Sequence, residues 1–158
     1  MKEAIIFDWG DTIMRDFKLE GSMSVWEKVA WIDGAREMLE VFNNKYTCII
    51  ATSADHSNTD DMIAALQRVG ADKYFHFFFS QKELGFKKPD IRFFEEVIKQ
   101  SHFEADACVM IGNSYEMDIV GAKKAGLTTV FFNENSIQGN FPAADFVVYK
   151  LIDLLTIF

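Results

Sequence analysis

Six short apolar runs, none of them alternating, constrain this chain more than any other feature: AIIF (4–7), TCIIAT (47–52), YFHFFF (74–79), ACVMI (107–111), TTVFF (128–132) and DFVVY (145–149). A half-exposed strand alternates apolar and polar residues, so an unbroken run of this length reads as a strand covered on both faces. Helical patterns fall between the runs, at about 34–43, 58–69, 90–100, 117–124 and 151–156. Met38, Leu39 and Phe42 make one face of the first, and Met62, Ile63, Leu66 and Val69 repeat with helical spacing in the second, before a stopping glycine. Strand and helix therefore alternate, which predicts an α/β fold: a doubly wound, three-layer (αβα) Rossmann-like parallel sheet, with functional residues beyond the carboxyl ends of the strands.

One stretch departs from the alternation. Residues 14–32, MRDFKLEGSMSVWEKVAWI, mix charge, Gly21, serines and two tryptophans, and read as a loop or short hairpin leading to one short helix. A chain of 158 residues, 49% hydrophobic and with sixteen phenylalanines, has the size and the apolar mass for one core. The expectation is a single domain over 1–158 with that insertion. A formal net charge of −8 disfavours nucleic acid or an anionic membrane as partner. Cys48 and Cys108 sit inside apolar runs and read as core residues, and no stretch has the length of a membrane span or the form of a signal peptide. A soluble protein of a reducing cytoplasm is the expectation.

Polar residues close the runs. Asp8 follows the first, Thr52 and Ser53 the second, Ser80 the third, Asn113 the fourth and Asn133 the fifth, with Asp118 a few residues further on. In a parallel sheet these ends share one rim, so Asp8, Thr52 and Asn113 meet if their strands are neighbours. Carboxylates gathered there repel unless a proton or a hard cation lies between them, and magnesium suits oxygen ligands. Lys88, before Pro89 and a helix, can reach over such a cluster to neutralise it or to hold a phosphoryl oxygen. The competing reading treats each residue as an ordinary turn former or helix cap, and the lysines at 87 and 88 as solvent-facing.

The constellation resembles the haloacid dehalogenase-like hydrolase superfamily. That family opens with a strand ending Asp-x-Asp-Gly-Thr, matched here by Asp8-Trp9-Gly10-Asp11-Thr12; a Thr or Ser ends the next core strand, matched by Thr52; a lysine precedes Pro-Asp-Pro, matched by Lys88 in KKPDIRFF; and Gly-Asp-Ser-x-x-x-Asp is matched by GNSYEMD, followed by GAKKAG. The resemblance implies a magnesium-dependent phosphatase acting on phosphate monoesters, with Asp8 as nucleophile forming an aspartyl-phosphate. It assigns Asp8, the Gly10 carbonyl, Asn113 and Asp118 to the metal. Thr12, Thr52, Ser53 and Lys88 are assigned to phosphate, and Asp8, Thr52 and Lys88 to catalysis.

Two departures stand out. The family's second Asp, which protonates the leaving group and then activates water, falls on Gly10, while Asp11 takes the place of the motif glycine and becomes the candidate replacement. Asn113 stands where the family has Asp, which removes one negative charge from the metal set. Neither insertion point has room for a cap domain, so the expected substrate is a phosphorylated macromolecule or an accessible small phosphate monoester, and a second subunit is a possible cover for the rim. The rival reading is a catalytically weak or silent relative that binds a partner protein or a phosphorylated ligand. A receiver domain fits less well, because the third run ends without a carboxylate, and no Gly-rich nucleotide fingerprint is present.

Overall fold

The computed structural model describes all 158 residues. Its centre is a six-stranded parallel sheet of β1 (Ala4–Phe7), β2 (Thr47–Thr52), β3 (Phe77–Ser80), β4 (Cys108–Gly112), β5 (Thr128–Phe132) and β6 (Phe146–Val148), in the order β3-β2-β1-β4-β5-β6. The order reverses at β1, which has β2 on one side and β4 on the other. Asp8, Thr52 and Asn113 consequently stand at adjacent strand ends, where such sheets form their crevice.

The strands are continuous in hydrophobicity because each of their two faces meets its own apolar layer. Ile5, Phe7, Cys48, Ile50, Val109, Ile111, Val130 and Phe132 point to one side, against α1 (Ala35–Phe42), α2 (Thr59–Val69) and the carboxyl-terminal turn. Ala4, Ile6, Ile49, Ala51, Cys108 and Met110 point to the other. There they meet α4 (Ile91–Ser101) and α5 (Val120–Lys124), reached past the four-residue α3 (Gln81–Leu84). Odd and even strand residues divide between the layers, as a period of two requires. Met38, Leu39, Phe42, Met62 and Leu66 are buried as their spacing predicts, whereas Ile63 and Val69 are only partly covered. Asn58 and Asp61 form a capping box on α2 and Gly70 ends it at φ 73°. Both cysteines are buried and unpaired, and no helix is long and apolar enough to cross a membrane.

Four expectations need correction in detail. The run at 74–79 becomes a strand only from Phe77, because Asp72–Tyr74 form a 3-10 turn after Gly70 and the His76 ring accepts the Cys48 amide at 3.1 Å. The segment expected as a helix over 117–124 begins as a π-helical turn, Tyr115–Ile119, whose wider register hands the Val120 amide to the Tyr115 carbonyl. The carboxyl-terminal helix, Leu151–Thr156, is 3-10. Residues 14–32 have a hairpin-like neck, closed by Arg15 N to Ala30 O and Ile32 N to Ile13 O at 2.9 Å each, but their helix shrinks to the 3-10 turn Met23–Val25. Gly21 at φ 74° and the Ser22 hydroxyl, which caps the Ser24 amide, divert the backbone from a longer helix. This segment lies over the sheet's carboxyl edge, and no cap domain is inserted anywhere in the chain.

Candidate active site

A cleft of about 490 Å³ opens over the ends of β1, β2 and β4, floored by Asp8, Thr52, Lys88 and Asp118 and walled by the 14–32 segment through Asp16, Met23 and Trp26. Its charge is concentrated in a buried triad. Lys88 Nζ lies 2.8 Å from Asp8 Oδ1 and 2.8 Å from Asp118 Oδ1, with the side chains of Lys88 and Asp118 only 2% exposed and that of Asp8 15%. Burial alone pulls the Lys88 ammonium down, but the charges of Asp118 and Asp8 outweigh it and hold the group above its ordinary value. Asp118 is pushed up to about 6, first by burial and then by the charge of Asp8, with Lys88 opposing both. One ammonium thus serves two carboxylates, and the triad keeps one excess negative charge.

The backbone builds this triad closely. Ser53 Oγ accepts the Lys88 amide at 2.9 Å, so the serine expected to bind phosphate, which also lines the cleft, holds the lysine's loop. Ser114 N donates to Asp118 Oδ2 at 3.0 Å. The glycines of the fourth motif have steric reasons to be there. A Cβ on Gly112 would occupy the space of the Asp118 carboxylate. A Cβ on Gly121 would come 2.5 Å from the Pro89 carbonyl and 2.6 Å from Phe94 Cε2. Gly121 lies inside α5, where alanine gains about 1 kcal/mol in propensity, but overpacking against backbone costs about 1–3 kcal/mol or more. Gly121→Ala is therefore expected to lower the urea midpoint despite its better helix propensity, by parting α5 from the loop that carries Lys88. A raised midpoint would refute the close packing.

On the other side of Asp8, oxygens converge. The Asn113 carboxamide approaches Asp8 Oδ2 to 2.9 Å and Gly10 O and Thr12 Oγ1 to 3.3 Å each, and Thr12 Oγ1 is 3.3 Å from Asp8 Oδ2. With its NH₂ turned inward the amide donates to all three; with its oxygen inward, the same space suits a cation. No group of three or more His, Cys, Asp or Glu side chains is gathered to hold a metal. A cation here would rest on one carboxylate, Asp8, and on the neutral oxygens of Gly10 and Asn113.

The remaining expected residues divide. Thr52 Oγ1 accepts the Ala54 amide at 3.1 Å and lines the cleft. Thr12 is fully buried behind Asp8, away from where a phosphate would enter. Ser80 bonds Glu83 and Thr59, and Asn133 closes its own turn on Ile137, so neither joins the cluster. Asp11 is turned away from the cleft. It adopts φ 56°, a left-handed conformation that Asp tolerates and that explains a glycine at this place in the motif. Its Oδ1 accepts the Asp16 amide at 3.0 Å and Arg15 Nη1 at 3.3 Å, while Arg15 also grips Glu134. Trp26 lines the cleft, but Trp31 and Phe17 pack on the core. Asp16, in the irregular segment, enters the cleft without any sequence signal to announce it.

Comparison with known proteins bears on the sequence and the fold. A glyceraldehyde 3-phosphate phosphatase of Methanothermobacter thermautotrophicus is 37% identical over 68 residues, covering 43% of this chain and 30% of that protein. The pyrimidine 5'-nucleotidase PynA of Streptococcus pneumoniae is 29% identical over 127 residues, covering 78% and 52%. The chain thus spans about half or less of these relatives' lengths. A crystal structure of an uncharacterized protein from Listeria monocytogenes serotype 4b superposes with a TM-score of 0.84 at 25% identity, covering 98% of this chain and 96% of that one. The family described as haloacid dehalogenase-like hydrolase matches residues 5–132, from the first buried strand through the fifth. With the strand order, the four motifs in sequence and the Asp8–Lys88–Asp118 triad at the switch point, that match places the chain in the haloacid dehalogenase-like hydrolase family.

Proposed function

We propose that the protein is a magnesium-dependent hydrolase of phosphate monoesters working through an aspartyl-phosphate on Asp8. The observation that carries this reading is the environment of Asp8: a carboxylate at the floor of an open cleft, one oxygen on a buried lysine at 2.8 Å and the other facing Thr12 and Asn113. The lysine holds Oδ1 in place, and a phosphoryl group entering the cleft meets Lys88 Nζ beside the attacking oxygen. Thr52, at the end of β2, lies on the same floor. The phosphatase and nucleotidase names of the two relatives support the choice of ester.

Asp8 Oδ2, Gly10 O and Asn113 Oδ1 would hold the ion, a set that suits magnesium because it takes oxygen ligands and keeps several waters. Bound there, magnesium supplies charge neutralisation for the transferring phosphoryl group. Asp118 acts from behind Lys88, with both of its oxygens already engaged.

Turnover of 4-nitrophenyl phosphate with magnesium, after chelation and after magnesium is restored, tests the reading, together with crystals grown with magnesium and beryllium fluoride. Activity lost on chelation and regained with the ion, and a fluoroberyllate on Asp8, are the expected results. A broad panel of monoesters hydrolysed no faster than by Asp8→Asn would overturn it.

A further inference from the structure

The family's second aspartate has no counterpart at Gly10, yet another carboxylate lies beside that position. A Cβ built on Gly10 would lie 3.6 Å from Asp16 Cβ and 3.9 Å from Asp16 Oδ2. These are ordinary contact distances, so the Asp16 side chain lies directly beside the place from which a side chain at position 10 would start, in the lining of the cleft that also holds Asp8 and Lys88. Asp16 is held there from both ends. Its amide donates to Asp11 Oδ1 at 3.0 Å, and its own Oδ1 accepts the Lys18 amide at 2.8 Å, which leaves Oδ2 turned to Gly10. Lys18 takes φ 56° to make that bond possible, so the loop is shaped around the carboxylate. Asp11, anchored by Arg15, is the positioning residue of this arrangement.

We propose that Asp16 moves the protons of the reaction, a task for which Gly10 has no side chain. The proposal rests on the function given above. In the first half-reaction Asp8 Oδ forms a bond to phosphorus, the ester P–O bond breaks, and the departing oxygen takes the proton of the Asp16 carboxylic acid. In the second, Asp16 carboxylate takes a proton from water, the water oxygen bonds to phosphorus, and the Asp8–phosphorus bond breaks. This returns Asp8 as carboxylate, Asp16 as acid, and inorganic phosphate.

A proton donor matters most when the leaving group is poor, and a base matters in the second half-reaction whatever the leaving group. Asp16→Asn keeps an Oδ1 for the Lys18 amide, so the loop is retained while the proton is lost. On phenyl phosphate its kcat/KM is expected to fall by about 10² to 10⁴. On 4-nitrophenyl phosphate the first step is nearly spared and hydrolysis of the intermediate is slowed, so about one equivalent of nitrophenol per enzyme is released in a burst and phosphate is recovered on the Asp8 peptide. A second variant probes the neighbouring positions: Gly10→Asp/Asp16→Ala should exceed Asp16→Ala at least about tenfold on phenyl phosphate. An Asp16→Asn enzyme that matches wild type on both esters, or slows on both equally without a burst, overturns the proposal, as does a double variant no faster than Asp16→Ala. If Asp8→Asn is inactive in those same assays, the failure belongs to Asp16 alone. If Asp8→Asn retains wild-type activity, the phosphatase reading and this proposal fall together.

Discussion

Asp8→Asn is expected to cut monoester turnover by something on the order of 10³ to 10⁶, the range seen when an enzyme loses its nucleophile, while leaving the fold at least as stable at pH 7. The two halves of that expectation have one cause. Lys88 is the sole cation in the buried triad and serves two carboxylates, so one of them is in excess. Asp118 is the more deeply buried and is pushed up to about 6, in part by Asp8. Removing the Asp8 charge leaves a neutral Lys88–Asp118 pair and relieves Asp118 of one of the causes that raise it. The pH dependence follows. A carboxylate whose pKa in the folded protein lies above its ordinary 3.8 favours the fold below that value and loses the advantage as pH rises through about 6. Asp8→Asn should give up less of it, so its margin over wild type grows as pH is raised from 4.5 to 7. Urea unfolding at both pH values in the presence of chelator measures this. A variant more than about 1 kcal/mol less stable than wild type at pH 7 would mean that the Asp8–Lys88 attraction outweighs the repulsion between the carboxylates, and that the triad is balanced differently.

An aspartate so placed, at the floor of the cleft and in excess of the one lysine it shares, is the kind of residue that strand-end reading detects. Asp8, Thr52 and Asn113 are legible because unbroken apolar runs identify buried parallel strands, and the polar residue ending each run has to lie on the rim. Lys88 is legible because a proline at the start of a helix fixes where the preceding loop ends. Directions and roles beyond that depend on backbone angles and long-range contacts that spacing does not carry. Asp11 looks like a replacement for the missing carboxylate until its φ of 56° and the Arg15–Glu134 anchor turn it out of the cleft. Ser53 is legible as a polar residue after a strand, but the hold of its hydroxyl on the Lys88 amide, thirty-five residues away, is not. Asp16 lies in the only stretch without periodicity, and its approach to Gly10 is set by a loop folding back over six residues, for which no local pattern exists. The glycines at 112 and 121 can be read as part of a motif, but their reason is a collision that only packing reveals.

Lys88→Met should cost about 3–5 kcal/mol at pH 7, the usual consequence of removing one partner from a buried ion pair, against a total stability of about 5–15 kcal/mol for a domain of ordinary size. Methionine keeps most of the lysine stem's volume, so packing contributes little to the loss, although the ammonium's place 5.5 Å over the Phe93 ring goes with the charge. What remains is a carboxylate 2% exposed at Asp118 facing Asp8 with no counter-charge. Two remedies are open to the molecule, and each is a measurement. Lowering the pH toward 5 should restore much of the stability, because a proton on Asp118 does for the pair what the ammonium did. Millimolar magnesium should restore part of it through Asp8, by mass action on the folded state. Turnover should not return with either, since neither puts a cation where the proposed mechanism has Lys88 meet the phosphoryl oxygens. The urea midpoint should fall with an unchanged slope, which assigns the loss to the folded state. A Lys88→Met protein within about 1 kcal/mol of wild type at pH 7 would show that Lys88 does not hold the two carboxylates together, and the account of Asp8 as a nucleophile poised by its neighbours would lose its physical basis.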